Sequence, residues 1–331
     1  MRRLVKKLDE RFLIDADEEI AIEIDPRTIN DSKLAKLRSL GFNRISLGVQ
    51  DFNYDVQKEI NRIQPFEIVE HSTHLVRELG FHSLNFDLIY GLPKQTLASF
   101  TDTVKKVIDL RPDRIALYSF AYVPWLKRHQ QKFNEDLLPL SDQKLDIFLA
   151  ARELLMSNGY NAIAMDHFAL KSDELNEAFE NNKLYRNFMG YTVKPADEYI
   201  GFGLTSIGFL ENTFIQNYKV LPEYYARLKE KKLPVERGKV LSQDDIIRQY
   251  VIASLMCHFQ LDIEELENRF AIDFAEYFKN EQEHLHNCLE EGLLELLPNK
   301  FCVTELGKIF IRNICMGFDY YFNQKNTHQK R

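Results

Sequence analysis

Ile45-Ser46-Leu47-Gly48-Val49-Gln50 alternates without a break, with Ile45, Leu47 and Val49 on one side of an extended chain and Ser46, Gly48 and Gln50 on the other. Successive side chains of a strand point to opposite faces, so this segment has one apolar and one polar face. Two other short segments repeat the pattern. In Ile20–Asp25, Ala21, Glu23 and Asp25 oppose Ile20, Ile22 and Ile24; in Leu84–Leu88, Asn85 and Asp87 oppose Leu84, Phe86 and Leu88. Helical stretches separate the three, and strands joined through helices run parallel in sheets covered on both faces. The polar face is therefore turned inward. A barrel lumen lined by Glu, Gln, Asn, Asp, Ser and Gly, in place of the bulky branched side chains that usually fill one, leaves room for a polar ligand.

Outward from these strands the first half of the chain keeps a strand and helix rhythm. Strand Ile20–Ile24 leads to a helix near Asp31–Leu40, opened by Asn30 or Asp31 and closed at Gly41. Strand Arg44–Val49 leads through Asp51-Phe52-Asn53 to two helical pieces, the second with Pro65 at its first turn and Gly80 past its end. Strand Ser83–Ile89 turns at Gly91-Leu92-Pro93 into a helix from about Thr96 to Asp109. Strand Arg114–Phe120 follows, then a loop through Tyr122-Val123-Pro124-Trp125, a helix from about Ser141 to Asn158, and one more strand at Asn161–Asp166. Crossover units in this succession curl into a barrel or an open doubly wound sheet, and the polar inner face favours the barrel. From about Val220 the character changes. Leu241–Phe259, Ile263–Phe270 and Phe274–Leu289 read as helices, and Gly292–Leu297 and Phe301–Val303 as a hairpin around Pro298-Asn299-Lys300, an order with a winged-helix look.

Composition excludes several classes. The 331 residues carry 43 Lys and Arg against 50 Asp and Glu, a formal charge of -7, which makes no general electrostatic case for nucleic acid or an anionic membrane. Residues 241–300 hold 13 acidic and 4 basic side chains, so the winged-helix-like part would repel phosphates and reads as a lid or packing element. No apolar run approaches a spanning helix, and the first ten residues lack a secretory apolar core, so the chain reads as cytoplasmic. Cys257, Cys288, Cys302 and Cys315 lie far apart and form no CxxC pair, which indicates neither a zinc ribbon nor a disulfide framework. His284, His286 and Cys288 fit an amphipathic helix better than a metal site, because no second ligand cluster accompanies them; no metal ligand is assigned.

Ligands of parallel α/β folds sit at the carboxyl ends of the strands, where Glu23, Gln50, Asp87 and Ala121 fall. Loops beyond these ends add Arg62 and the glycine-spaced stretch Gly201–Gly208. Carboxylates can hold ribose hydroxyls or an ammonium, Arg pairs with a carboxylate, and glycines let backbone approach a flat base. An amino-acid-bearing nucleoside would use all of these. A lone strand-end Asp or Arg is as often a helix cap or a structural ion pair.

Six segments carry a resemblance. They are Glu23–Arg27 (EIDPR), Asn43–Asn53 (NRISLGVQDFN), Asp87–Thr96 (DLIYGLPKQT), Met165–Ala169 (MDHFA), Arg186–Thr192 (RNFMGYT) and Arg312–Met316 (RNICM). In wording and order they resemble the oxygen-independent coproporphyrinogen III oxidases, radical S-adenosylmethionine (SAM) enzymes of porphyrin biosynthesis, from about Glu18 to Phe322. The resemblance implies that Glu23 and Ile207 contact the SAM bound at a 4Fe-4S cluster, and that Gln50, Arg62, Asp87 and Ala121 hold a second SAM. It implies oxidative decarboxylation of two propionates of coproporphyrinogen III to vinyl groups, giving protoporphyrinogen IX, in a monomer served by an electron donor such as a flavodoxin-type reductant. It identifies no catalytic side chain.

The family pattern is departed from at one place. The CxxxCxxC cluster loop and the glycine-rich turn that follows the next strand are both missing, so the expected fold is α/β: a partial radical SAM (β/α) barrel without its first two βα units. That barrel and its extension are expected over residues 1–219, and a small, mainly helical, winged-helix-like domain over 220–331. The chain alone is accordingly expected to be inactive. Two alternatives remain beside the oxidase. One is a haem chaperone of the same superfamily, which shares the GVQ and GLP segments but not MDHFA, RNFMGYT or RNICM; the other is a non-catalytic, truncated SAM-binding module. The four propionates of the substrate need cations, for which Lys127, Arg128, Lys132 and Arg186 are candidates, a solvated surface being the competing explanation for the first three.

Overall fold

A computed structural model of the chain describes residues 1–15, 17–195 and 198–322. These form two compact units that divide between Asn176 and Glu177, so the expected division at 219/220 falls inside the second.

The first unit runs α1 (Arg2–Asp9), β1 (Ala21–Ile24), α2 (Asp31–Ser39), β2 (Arg44–Gln50), α3 (Tyr54–Glu59), α4 (Phe66–Glu78), β3 (Ser83–Tyr90), α5 (Leu97–Leu110), β4 (Arg114–Ser119), α6 (Ser141–Ser157), β5 (Tyr160–Ala164) and β6 (His167–Leu170). The strands make one sheet in the order β1-β2-β3-β4-β6-β5, with β1 to β4 parallel. Helix starts follow local chemistry. The Asn30 side chain accepts from the backbone N–H of Lys33, Asn53 from those of Asp55 and Val56, and Thr96 and Ser99 form a reciprocal capping box. The alternation of β2 is realised in its burial: Ile45, Leu47 and Val49 are buried and Ser46, Gly48 and Gln50 are not. Phe86 and Leu88 of β3 and Ile115 and Leu117 of β4 extend the same apolar face, with α4 packed on β2. Each such side chain stabilises the sheet by about 1.5–3 kcal/mol.

The end of this sheet differs from the expectation of a single strand at Asn161–Asp166. A hairpin lies there, in which Ala164 pairs with His167 across the two-residue turn Met165-Asp166, and β6 inserts antiparallel between β4 and β5. No glycine or Asn-Gly announces that turn; Met165 itself takes up a left-handed backbone, at φ +47.

Helix α7 (Glu174–Glu180) spans the point of division. The second unit continues with the hairpin β7 (Tyr185–Asn187) and β8 (Gly190–Thr192), then β9 (Ile207–Leu210), β10 (Thr213–Asn217), α8 (Leu221–Lys229) and β11 (Val235–Val240). Strands β9, β10 and β11 form an antiparallel sheet that extends past residue 220, where the mainly helical domain was expected to begin. Next come α9 (Gln243–His258), β12 (Gln260–Asp262), α10 (Ile263–Phe270), α11 (Phe274–Tyr277), α12 (Gln282–Glu290), β13 (Leu294–Leu297), β14 (Lys300–Val303), α13 (Glu305–Ile309) and α14 (Ile311–Met316). The expected hairpin is present as β13 and β14, and β12 joins it to complete the winged-helix pattern. The expected helix Phe274–Leu289 is two helices. Between them Phe278 packs against Phe274 and Phe318, and Glu281 receives a hydrogen bond from Arg248 at 2.8 Å, so tertiary contacts override helical propensity.

Candidate functional site

The polar face of the first unit's sheet gathers its charged groups at the carboxyl ends of β1, β2 and β3. Asp87 is the centre of a small network: Ser46 Oγ donates to Oδ2 at 2.9 Å and Asn85 Nδ2 to Oδ1 at 2.9 Å. Burial pushes the Asp87 carboxyl above the usual carboxylate range, against the pull of these two donors, and the charge of Glu23 pushes the same way. Glu23 stands opposite Ser46 in the register of β1 with β2, with its side chain exposed.

Gln50 closes β2 with φ +66, a left-handed conformation seldom adopted outside glycine, where the pairing of β2 with β3 shifts by one residue. Gly48, two positions earlier, is a point of close approach. A Cβ there would lie 2.9 Å from the Gln50 amide nitrogen and 3.0 Å from an Arg62 guanidinium nitrogen. Arg62 Nη2 donates to the Gly48 carbonyl at 2.7 Å, and Nη1 lies 3.4 Å from Asp25. Its Nε is buried without a hydrogen-bond partner. Burial holds the Arg62 guanidinium below its ordinary range, partly countered by Asp25. Asp25 is held low, chiefly by the hydrogen bonds it accepts from Arg27.

Two buried networks set these loops in place. Gln57 Nε2 donates to the carbonyls of Asp51 and Gln64 at 2.8 and 2.7 Å while its Oε1 accepts from Gln64 N at 2.8 Å, which fastens the Arg62 loop to the end of β2. Asp51, 1% exposed, accepts from Gln95 Nε2 at 2.6 Å, Thr103 Oγ1 at 2.7 Å and Asn53 N at 2.7 Å. Gln95 also accepts from Gly91 N at 2.5 Å, so Asp51 ties the Gly91–Thr96 loop to the site. Burial pushes the Asp51 carboxyl up. Lys144 Nζ donates to Phe120 O at 2.6 Å beside the Tyr90 ring, and burial holds its ammonium below the ordinary range.

The structure thus brings together four of the six residues singled out from sequence: Glu23, Gln50, Arg62 and Asp87. Ala121 follows β4, where its carbonyl accepts from Gln130 Nε2 at 3.0 Å. Ile207 begins β9 in the second unit, its backbone against Gly201. Asp51, Gln95, Asp25 and Lys144 were not singled out, although Asp25 continues the polar alternation of Ile20–Asp25. The other three sit in loops and a helix, where periodicity says nothing about ligand-facing groups.

The remaining candidates lie elsewhere. Lys127 precedes, and Arg128 and Lys132 lie in, a short 3-10 helical stretch between β4 and α6. Arg186 of β7 lies over the Tyr191 ring and lines a cavity of about 420 Å³ in the second unit, with Phe188, Tyr199, Phe209 and Phe214 among its walls. Burial pushes the thiols of Cys257 and Cys315 up to about 12, and raises that of Cys288 as well. No three His, Cys, Asp or Glu side chains converge on a possible metal position among the described residues. His284 Nε2 is engaged with the Ile314 carbonyl at 3.0 Å, and His286 with Glu290 at 3.2 Å. No helix among the described residues is long and apolar enough to cross a membrane.

The chain is similar to known proteins over nearly its whole length. Residues 1–107 match the Radical SAM superfamily and residues 241–310 the HemN C-terminal domain. Over 330 residues the chain is 44% identical to the oxygen-independent coproporphyrinogen III oxidase of Synechocystis sp., covering 98% of this chain and 71% of that protein. To the Escherichia coli protein of the same name it is 43% identical over 328 residues, covering 99% and 72%. The solved structure of coproporphyrinogen III oxidase (HemN) from Escherichia coli, described there as a radical SAM enzyme, superposes with a TM-score of 0.94 at 43% identity, over 97% of this chain and 74% of that one. The chain belongs to the oxygen-independent coproporphyrinogen III oxidases of the radical SAM superfamily.

Proposed function

We propose that the strand-end site binds SAM and that the chain serves the family reaction, the oxidative decarboxylation of coproporphyrinogen III propionates to vinyl groups. The observation that carries this reading is Arg62. A half-buried guanidinium whose buried Nε lacks a partner, beside a glycine that brings it down onto backbone, fits the carboxylate of an amino-acid ligand. Asp87 adds a desolvated acceptor for hydroxyl or ammonium donors, and Gln50 an amide held at the strand end. Ala121 lies past the neighbouring strand. The family's second SAM is accordingly assigned to Gln50, Arg62, Asp87 and Ala121, with the Glu23 charge adjoining. When bound in this superfamily, SAM supplies an organic radical that takes hydrogen from substrate. The residues named here bind and orient it and keep its charged end out of water.

The cysteines do not fit a 4Fe-4S cluster. The family's cluster would be held by three cysteines in a CxxxCxxC loop. Cys257, Cys288 and Cys315 are buried with raised pKa values, and the chain contains no CxxxCxxC. No step through a cluster is assigned to these residues. Arg186, at its aromatic-lined cavity, is the cation best placed for a substrate propionate. A flavodoxin-type electron donor and a monomeric state complete the proposal. Calorimetry with SAM tests its core: binding by the 331-residue chain, weakened at least about tenfold in Asp87→Asn, is expected, and absence of binding refutes it.

A further inference from the structure

One row of the sheet reads Gly48, Asp87, Ala116, His167, passing from β2 through β3 and β4 to β6. The register puts the last three on the face that carries Ser46 and Asn85, the polar one. The Cα atoms of Asp87 and His167 are two strand spacings apart, about 10 Å. In that row the residue between them is Ala116. The two side chains are near enough to interact electrostatically.

The His167 ring is held from several directions. Nδ1 pairs with Asp166 Oδ1 at 2.8 Å, and an ionised carboxylate can only accept, so Nδ1 carries the hydrogen. Leu117 N donates to the Asp166 carbonyl at 2.7 Å, which ties the turn to β4. The Tyr118 ring meets the imidazole edge to face, with centroids 6.0 Å apart. The turn that delivers this pair contains Met165 at φ +47, in the left-handed region that favours glycine. Strain of this kind persists where the surroundings hold it, and it collects at ligand sites. A hairpin that needed only to turn would use Asn-Gly or Asp-Gly.

We propose that His167 is a ligand-contacting residue of the strand-end site, its Nε2 accepting a hydrogen bond from a ribose hydroxyl of the bound nucleoside, and that Asp166 is its positioning residue. This rests on the reading of that site as a SAM site. Asp166 fixes the tautomer with Nδ1 protonated, which leaves Nε2 with acceptor character. Asp87 and His167 then stand on either side of Ala116 as two acceptors for one sugar. Asp166 and Asp87 are the carboxylates that interact with the imidazole, and Tyr118 is the phenol against it.

The test uses the 331-residue chain with ring-15N-labelled histidine and SAM as the probe, alongside calorimetry. The signal missing from His167→Gln identifies the residue, and Asp166→Asn should move that signal in the free protein. Expected on adding SAM are a shift of the His167 signal in the wild type, and an affinity about tenfold lower in His167→Gln with an unchanged melting temperature. An intermediate loss is expected in Asp166→Asn. If the wild type binds SAM and Asp87→Asn binds it more weakly, while the His167 signal stays in place or His167→Gln binds as tightly as wild type, the role of His167 is overturned and the site stands. If the wild type does not bind SAM, both fall.

Discussion

Replacing Asp87 by Asn keeps the shape of the side chain and removes its charge, and the structure predicts opposite effects on binding and on stability. A hydrogen bond to a charged acceptor contributes about 1.5–3 kcal/mol, so losing one such bond to SAM should raise Kd by about 10- to 150-fold. Stability should not fall. Burial raises the Asp87 carboxyl above its ordinary value of 3.8, so between 3.8 and its folded pKa the native state binds more protons than the unfolded one. Stability owed to this group is therefore greatest at low pH and is lost as pH rises through that window. Asn does not titrate. The melting temperature of Asp87→Asn should match or exceed wild type at pH 7, and the advantage should shrink as pH falls toward 3.8. Calorimetric titration with SAM and thermal unfolding followed from pH 4 to 8 supply both readouts. Unchanged affinity together with a lower melting temperature at pH 7 would show that Asp87 is a structural group bridging Ser46 and Asn85, and would refute the site.

Arg62→Lys should weaken SAM binding by about tenfold, because an ammonium cannot reach the Gly48 carbonyl, Asp25 and a ligand carboxylate in one plane; calorimetric equality with wild type would make Arg62 a loop anchor only. Asp51→Ala leaves the buried donors of Gln95, Thr103 and Asn53 without their acceptor, at about 1–3 kcal/mol each, so urea unfolding should show a midpoint well below wild type, and an unchanged midpoint would contradict the network. Anaerobic reconstitution with iron and sulfide should give no stoichiometric cluster absorbance and no reductive SAM cleavage by these 331 residues; SAM cleavage would require a cluster site among Cys257, Cys288, Cys302 and Cys315.

Much of the first unit was legible because its signals are local. The alternation in Ile45–Gln50 and Leu84–Leu88 assigns each side chain to a face, and one face of a parallel sheet must bury its apolar set, so the positions of Ser46, Gln50 and Asp87 follow from the pleat. Arg62 was reached through resemblance and loop position; its contact with Gly48 depends on Gln57, a side chain with no periodic signature. The β5 and β6 hairpin was missed because Met165-Asp166 lacks turn chemistry, and with it the pairing that carries His167 to the row of Asp87. In the second unit, β9 to β11 are short, half-exposed strands whose antiparallel partners are set by long-range pairing, which a single sequence does not reveal.

Gly48 gives the site a particular genetic character. Because one missing Cβ admits both the Gln50 amide and the Arg62 guanidinium, these three positions cannot drift one at a time. Alanine at 48 would push against two functional groups together, and its harm would depend on what occupies 50 and 62, so that a variant disabled with Gln50 and Arg62 in place could be tolerated once both are shortened. Substitutions here should therefore show strong epistasis among Gly48, Gln50 and Arg62, extending to Asp87, the register partner of Gly48 on β3.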